Sequence, residues 1–299
     1  MNIRLIEQKD FNILKDAKEE TLCRFGEKVH KWQLQGFISG DNCYVFEDGD
    51  SIILGGICFD DNASSYRTIL DFVVTDSIEN PEELLIGTVN QTVNPLTIKI
   101  SYSLYNNTEQ FLRIKNIFLQ AGFTVEQESR SYSYTNKTTL PDFDSPLNFK
   151  NFKEMKRSLF VQMVEGVTID TLESLMAADA ARMGSYRAAE AYVNALAERD
   201  YDPALWKIGY LEDEPIGLFI TRRLEVGKGS IDYFGVLPDY RGKGYCVHFL
   251  AEATKTLLEK GITEIFGDVD IANKPVANAL EELGYVFKYE KIILVLKMK

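Results

Sequence analysis

The sequence predicts an α/β (α+β) fold built from two similar halves. Three observations lead to this prediction. Strand-like and helix-like patterns alternate along the 299 residues, several landmarks recur about 161 positions apart, and a glycine-rich turn joins a predicted strand to a predicted helix near residue 240. A chain of this length can form two domains of ordinary size.

The first half, residues 1–140, contains alternating strand and helix patterns. Its clearest feature is a hairpin, because two apolar runs within 44–59 flank Asp48-Gly49-Asp50. Pro81 lies near the start of a predicted helix, and Gly122 follows the end of another. The remaining predictions are strands at 2–6, 68–74, 96–104 and 124–134, and helices at 11–32, 82–93 and 109–120.

A linker is predicted at 141–157, where Pro141 and Pro146 interrupt the periodic pattern. The second half, residues 158–299, then begins with a strand at 159–164 and a helix at 170–182 that Asp170 caps. The later predictions are a helix at 188–199, a hairpin at 205–221, strands at 231–236, 264–269 and 291–298, and helices at 245–260 and 274–283.

An internal repeat relates the two halves. Gly56 precedes Gly217 by 161 positions, Asp71-Phe72 precedes Asp232-Tyr233 by 161, and Gly122-Phe123 precedes Gly284-Tyr285 by 162. Each pair occupies the same place in the order of predicted elements, which favours a repeat over chance.

The composition limits the classes of function. The net charge of −12 disfavours nucleic acid as a partner and favours a cationic small molecule or a basic peptide. The first eleven residues include Arg4, Glu7 and Asp10, so we expect no signal peptide, no membrane span and a cytoplasmic protein. Four scattered cysteines and two distant histidines predict no metal site. The sequence specifies no oligomeric state.

The segment 236–246, called the glycine turn below, is predicted to bind an anion. Gly242 and Gly244 lie where a strand turns into a helix, and glycine allows positive φ angles and a close approach of ligand to backbone. The N–H groups of the first helical turn would then face a phosphate, with Arg241 and Lys243 beside it. The alternative is a plain strand-to-helix connection.

Two motifs resemble those of the GNAT superfamily of N-acetyltransferases. The glycine turn resembles the acetyl-CoA signature, and a segment about thirty residues later resembles the family's second motif. The residues that carry the resemblance are Val236-x-Pro238-x-x-Arg241-Gly242-x-Gly244-x-Cys246 and Asp270-Ile-Ala-Asn273-Lys-Pro-Val-Ala-Asn-Ala-Leu280-Glu-Glu-Leu-Gly284-Tyr285.

The resemblance implies two GNAT-like acyl-CoA N-acyltransferase domains in tandem, each with a mixed, mostly antiparallel central sheet flanked by helices. Only the second keeps the CoA motif, since no glycine turn follows Asp76 in the first half. Cys246 stands where the family usually has Gly or Ala. The cofactor-binding residues implied are Val236, Leu237, Arg241, Gly242, Lys243, Gly244, Tyr245, Cys246 and Asn273.

The resemblance implies less about proton transfer. Asp232 is the candidate base, or else a solvated or ion-paired strand residue. The tyrosine that many family members use as an acid is Leu280 here, which leaves Tyr233 and Tyr285 as candidates, or as packed aromatics. The family's acceptor wall corresponds to 183–202, where the acidic residues are Glu190, Glu198, Asp200 and Asp202.

Two functions stay open on this evidence. The first is an acetyl-CoA-dependent N-acetyltransferase that acts on a primary amine of a small molecule or peptide. The second is a non-catalytic acyl-CoA-binding or regulatory module on the same fold. An ATP-binding P-loop is disfavoured, because 242–244 lack the upstream glycine spacing and the Ser or Thr after Lys243.

Overall fold

A computed structural model describes residues 1–61, 66–137, 139–141, 144–197 and 202–298. The chain forms two compact units. The first comprises Met1–Glu126 and the C-terminal segment from Ile292, and the second comprises Gln127–Lys291.

The first half of the sequence contains both strands and helices. In chain order they are β1 (Asn2–Leu5), α1 (Asp10–Lys15), α2 (Glu20–Leu34), β2 (Cys43–Glu47), β3 (Ile53–Phe59), β4 (Tyr66–Val74), α3 (Pro81–Thr92), β5 (Lys99–Tyr105), α4 (Phe111–Gln120) and β6 (Thr124–Thr135).

The second half repeats this order with one extra helix. Its elements are β7 (Leu147–Asn151), α5 (Arg157–Thr168), α6 (Ser174–Met183), α7 (Ser185–Ala197), β8 (Trp206–Leu211), β9 (Glu214–Arg223), β10 (Lys228–Val236), α8 (Tyr245–Leu258), β11 (Glu264–Asp270), α9 (Lys274–Glu282) and β12 (Val286–Lys297).

The sheets of the two units have the same topology. In the first unit the strand order is β1-β2-β3-β4-β5-β12, and in the second it is β7-β8-β9-β10-β11-β6. The pairs β4 with β5 and β10 with β11 are parallel. The antiparallel pairs are β1 with β2, β2 with β3, β3 with β4, β6 with β11, β7 with β8, β8 with β9, and β9 with β10. This confirms the predicted α+β fold with a mixed, mostly antiparallel sheet flanked by helices in each unit.

Each unit receives its last strand from the other half of the sequence. The segment of β12 from Ile292 onward lies beside β5 in the first unit, while Gln127 to Thr135 of β6 lies beside β11 in the second. Tyr132 and Tyr134 on β6 are 1% exposed and belong to the core of the second unit. The compact units therefore differ from the simple division at 141–157, and β7 lies within the predicted linker.

The repeat is visible in the positions of its landmarks. Gly56 lies on β3 and Gly217 on the equivalent strand β9. Gly122 and Gly284 follow α4 and α9, with φ angles of 90° and 86°. Both glycines thus end a helix in the left-handed conformation that glycine adopts most readily.

One predicted element was wrong, and two others differ in their bounds. The segment 159–164, predicted as a strand, lies in helix α5, whose buried Phe160, Val164 and Val167 recur at helical spacing. The helix predicted from Asp170 begins at Ser174, and Asp170 itself has φ 50°. The helical region predicted at 11–32 is divided into two helices, α1 and α2.

Each unit has its own aromatic core. In the first unit, Phe118 stacks on Tyr102 at 4.5 Å between ring centroids and meets Phe72 edge-on at 5.3 Å. In the second, Phe160 of α5 stacks on Trp206 of β8 at 5.7 Å. Among the described residues, no helix has the length and apolar character needed to cross a membrane.

Candidate active site

Strands β10 and β11 diverge in the second unit. Their parallel register covers only Lys228 to Ser230 against Glu264 to Phe266, although β10 continues to Val236 in register with β9. The N–H of Leu237 donates to the carbonyl of Ile216 at 2.8 Å, on the β9 side. Because successive N–H groups of a strand point to opposite sides, the N–H of Val236 points toward the gap beside β11.

The glycine turn begins where β10 ends. A short 3₁₀ helix, Pro238–Tyr240, leads to Gly242 with φ 73° and Gly244 with φ 83°, and α8 begins at the next residue. A Cβ atom at either glycine would meet no atom within 4 Å. The backbone conformation therefore requires glycine here, and the space in front of the turn is open.

The N–H groups of residues 242–247, where the glycine turn enters α8, lack backbone acceptors in the described structure. Among the described residues, those of 242–244 donate to no carbonyl, and those of 245–247 lie in the first turn of α8, where the helix itself supplies no acceptor. The positive end of the helix dipole lies at the same place. An open surface with free N–H groups fits a pyrophosphate.

The two basic residues of the turn have different surroundings. The guanidinium of Arg241 donates to three backbone carbonyls: Nε to Val236 at 2.9 Å, Nη1 to Asp170 at 3.1 Å and Nη2 to Val167 at 2.9 Å. The exposed Lys243 places its Nζ 5.3 Å above the ring centroid of Tyr240. Lys243 is therefore the basic side chain of the turn that faces solvent.

Tyr245, Cys246 and Asn273 are half-buried around the turn. The ring centroid of Tyr245 lies 6.5 Å from that of Tyr240. Burial raises the pKa of the Cys246 thiol to about 12, which keeps it neutral and unreactive near pH 7. Asn273 immediately precedes α9, and its N–H donates to the carbonyl of Asp270 at 2.8 Å.

Asp232 forms an ion pair. Its side chain is 10% exposed, Oδ2 accepts from Arg222 Nε at 2.7 Å, and Oδ1 accepts from the hydroxyl of Ser230. The register between β9 and β10 shifts between Ile231 and Tyr233, which makes Asp232 the extra residue of a bulge. The backbone carbonyl of Asp232 accepts from the hydroxyl of Tyr192 at 3.4 Å.

Both tyrosine candidates for the acid lie in the core. Tyr233 is 8% exposed, its hydroxyl lies 3.2 Å from Oγ1 of Thr168, and burial raises its pKa to about 12. Tyr285 is 3% exposed, with its hydroxyl 2.7 Å from Oγ1 of Thr254, and burial raises its pKa as well. Leu280, 1% exposed, is a core residue.

Sequence reasoning missed Glu173, which caps α6. Its carboxylate accepts from the N–H groups of Leu175 and Met176 and, at 2.8 Å, from Gln127 of β6. Burial raises the pKa of Glu173, and the nearby charge of Asp270 adds to the effect. Because Glu is not a preferred cap, the sequence assigned that role to Asp170 instead.

The predicted acidic wall is only partly described. Glu190 lies 4.0 Å from Arg157, and Asp202 lies 3.8 Å from Arg223. Glu198 and Asp200 lie outside the described residues. Across the described ranges, no group of His, Cys, Asp and Glu side chains has an arrangement that could hold a metal ion.

Comparisons with known proteins identify the family of this site. Residues 172–285 match the model of the acetyltransferase (GNAT) family, a range that includes the glycine turn and Asn273. A search of curated protein sequences gave no significant match.

Solved structures share the fold over nearly the whole chain. A GCN5-related N-acetyltransferase from Sphaerobacter thermophilus matches with a TM-score of 0.61 and 15% identity, over 99% of this chain and 95% of that one. A tandem GNAT protein from the clavulanic acid biosynthesis pathway matches with a TM-score of 0.56 and 7% identity, over 99% and 98%.

A third structure is the glucosamine N-acetyltransferase region of a fungal multi-domain GH3 β-N-acetylglucosaminidase. It matches with a TM-score of 0.60 and 14% identity, over 99% of this chain and 38% of that one. At such identities the likeness concerns the fold alone. Residues 172–285 therefore match a GNAT acetyltransferase domain, within a chain whose fold is that of GNAT proteins along nearly its full length.

Proposed function

We propose that the second unit transfers an acetyl group from acetyl-CoA directly to a primary amine of a small molecule or peptide. The observation that carries this proposal is the continuity of two features. The gap between β10 and β11 leads into the glycine turn, where the N–H groups of 242–247 are free on an open surface. Together they provide a strand edge for an extended arm and a site for its phosphates.

The residues around the gap fit acetyl-CoA. The N–H groups of 242–247 would hold the pyrophosphate, with Lys243 supplying positive charge from solvent. The N–H of Val236 is directed to the gap and would hold the arm or polarise the carbonyl, whereas that of Leu237 is already bonded to Ile216. Acetyl-CoA supplies the activated thioester, and the chain supplies position.

The transfer forms a C–N bond to the acetyl carbon and breaks the C–S bond. The amine must lose a proton, and the departing thiolate must gain one. Asp232 stays our predicted base, and its carboxylate is paired with the guanidinium of Arg222. Tyr233 and Tyr285 stay our candidates for the acid. Burial raises the pKa of Tyr233 to about 12, which keeps it protonated at neutral pH and makes it a weaker acid than a solvated tyrosine.

One active site per chain is expected, in the second unit. In the first unit β4 ends at Val74 and α3 begins at Pro81, and the intervening residues include no glycine and no basic side chain. The N–H groups at the start of α3 therefore lack the glycine turn that would open them to a pyrophosphate.

A second candidate is a non-catalytic acyl-CoA-binding module. Three features favour this candidate, because each removes a group that would transfer protons. They are the ion pair of Asp232, the core position of Tyr285 and the leucine at position 280. This candidate keeps the glycine turn and its ligand, and it differs from the first only in turnover.

Release of free thiol from acetyl-CoA across a panel of primary amines separates the two candidates. We expect thiol release with at least one amine and none with Gly244→Asp, which places a carboxylate where the pyrophosphate would bind. Binding of acetyl-CoA without turnover on any amine would favour the second candidate. Failure of the wild-type protein to bind acetyl-CoA would contradict both.

A further inference from the structure

Arg241 connects two segments that are distant in sequence. Its Nε bonds the carbonyl of Val236 at the end of β10, while Nη1 and Nη2 bond the carbonyls of Asp170 and Val167 at the end of α5. Three of the five N–H donors of the guanidinium are thus occupied by backbone oxygens. The side chain has its partners within the protein, without a phosphate.

The end of α5 is a suitable partner for a guanidinium. The last carbonyls of a helix have no acceptor role within the helix and carry the negative end of its dipole. Val167 lies in the last turn of α5, and Asp170 follows in a left-handed conformation with φ 50°. A cation with several fixed donors stabilises both carbonyls at once.

Two glycines allow α5 to approach β10 closely. A Cβ atom on Gly166 would lie 2.7 Å from Cδ2 of Leu237, and one on Gly235 would lie 2.7 Å from Cβ of Val167. The last turn of α5 therefore packs directly on the end of β10. This contact brings the carbonyls of Val167 and Asp170 within hydrogen-bonding distance of Arg241, which immediately precedes Gly242.

The segment held by Arg241 continues to the other side of the candidate site. After Asp170 the chain reaches Glu173, which caps α6, and Ser174, whose hydroxyl donates to Asp270 of β11 at 2.6 Å. Helix α6 follows, and after it α7, which lies within the region 183–202 that the family resemblance assigns to the acceptor. The position of 167–174 therefore sets where that region begins.

We infer that Arg241 is a positioning residue, which couples the glycine turn to the segment 167–174 instead of pairing with the phosphates of the cofactor. Binding at the turn then also fixes the acceptor side of the site. This inference rests on the proposed function, because the coupling concerns the acetyl-CoA site. Lysine does not replace the arginine in this role, since an ammonium offers its donors from one nitrogen, whereas the guanidinium reaches three separate carbonyls from three nitrogens.

Amide hydrogen exchange of the full-length chain, with and without acetyl-CoA, tests the inference. The variants are Arg241→Lys, which keeps the charge, Arg241→Gln, which removes it, and Lys243→Gln as the matched control on the same turn. The reporters are the amides of Ile169 and Thr171, which donate to Gly166 and Thr168. Amides of β8 and β9 report whether each variant is folded.

We expect both Arg241 variants to exchange about tenfold faster than wild type at Ile169 and Thr171, with β8 and β9 unchanged, because charged hydrogen bonds are lost there. At acetyl-CoA concentrations that saturate each variant, exchange at these amides should slow in the wild type and in Lys243→Gln, but not in Arg241→Lys. The affinity of Arg241→Lys for acetyl-CoA should stay within about threefold of wild type.

Two results would overturn the inference. One is wild-type exchange at Ile169 and Thr171 in Arg241→Lys. The other is an affinity for acetyl-CoA that depends on the charge at position 241. In that case Arg241→Lys would bind acetyl-CoA normally, with full protection at these amides, and Arg241→Gln would not bind it. If the wild-type chain binds no acetyl-CoA, the proposed function fails, whereas exchange in the free protein still decides whether Arg241 holds 167–174.

Discussion

The carboxylate of Asp232 has two possible roles, as the base of the reaction and as the partner of Arg222 in an ion pair. Its contacts suggest how to separate these roles by mutation. It is held by Arg222 and Ser230 at a bulge in β10, next to the gap where the amine would react. Removal of the Asp232 carboxylate and removal of its partner Arg222 should therefore affect stability and catalysis differently.

Asp232→Asn should lower the free energy of unfolding by about 1–3 kcal/mol, because it leaves the Arg222 guanidinium without its anion. Urea unfolding of this variant measures the loss, and Arg222→Gln is the matched control that keeps the carboxylate. If Asp232 is the base, Asp232→Asn abolishes amine-dependent thiol release and Arg222→Gln preserves it. Full activity of Asp232→Asn would contradict the assignment of Asp232 as the base.

Glu173 provides a test of pH dependence. Burial raises its pKa above the ordinary value of 4.5, so the folded chain binds a proton more tightly there than the unfolded chain does. The stability that this group contributes is therefore greatest below pH 4.5 and is lost as the pH rises through the raised pKa. Glu173→Gln does not titrate at this position.

The difference in unfolding free energy, wild type minus Glu173→Gln, should therefore fall as the pH rises above 4.5 and then become constant. Urea unfolding of both proteins at several pH values between 4.5 and 7.5 measures this difference. A difference that grows with pH would mean that the hydrogen bonds from Leu175, Met176 and Gln127 outweigh burial.

Among the elements, the glycine turn is the one whose backbone conformation matters most. Gly244 has φ 83°, and a Cβ there meets no atom, so a side chain is strained but not excluded. Gly244→Ala should cost about 1–2 kcal/mol of stability, the usual penalty for a left-handed non-glycine residue, and should leave acetyl-CoA binding measurable.

Gly244→Asp should weaken binding of acetyl-CoA about 100-fold or more, because like charges in contact cost several kcal/mol. Calorimetric titration measures the affinity of each variant for acetyl-CoA. Gly244→Ala reports the effect of a side chain on the backbone conformation, and Gly244→Asp reports the added effect of a negative charge. Equal affinities for Gly244→Ala and Gly244→Asp would show that no phosphate binds beside this residue.

The glycine turn could be predicted from sequence because its residues act locally. Pro238 ends the strand, Gly242 and Gly244 permit positive φ, and the helical pattern resumes at Tyr245. The partners of Arg241 could not be predicted, since they depend on the approach of α5 to β10, about seventy residues earlier in the chain. The turn is therefore predictable from the sequence, whereas the partners of its arginine are not.

Helix α5 shows the limit of periodicity. Its apolar run at 159–164 is short and rich in residues that suit a strand, and a short run does not separate a buried strand from a buried helix. The burial of Phe160, Val164 and Val167 against the core of the second unit decides for the helix. Tertiary packing overrides local propensity at this position.

On the scale of the whole molecule, the repeat could be predicted but the exchange of strands could not. Equivalent glycines and equivalent element order are properties of each half on its own. The pairing of β6 with β11 joins residues far apart in sequence, and the hydrophobic pattern of β6 does not predict which strand it pairs with. The alternating pattern predicts a strand, whichever sheet receives it.

The exchange predicts which fragments of the chain can fold. A fragment of residues 144–299 lacks β6, so β11 loses its neighbour and the core of the second unit loses Tyr132 and Tyr134. We expect this fragment to be unfolded or aggregated, because an unpaired apolar edge is exposed. A fragment of residues 124–299 retains β6 and is the matched control.

Circular dichroism and calorimetry with acetyl-CoA measure the folding and binding of both fragments. We expect the longer fragment to fold and bind, and the shorter one to do neither. A folded, acetyl-CoA-binding fragment of residues 144–299 would show that β6 is dispensable to the second unit.

The central claim is that the glycine turn of the second unit is the single acetyl-CoA site of the chain. Isothermal titration of the full-length protein with acetyl-CoA tests this claim most directly, because it gives affinity and stoichiometry together. We predict saturable binding of one acetyl-CoA per chain, which Gly244→Asp abolishes. Absence of binding at millimolar acetyl-CoA, or binding of two molecules per chain, would contradict the claim.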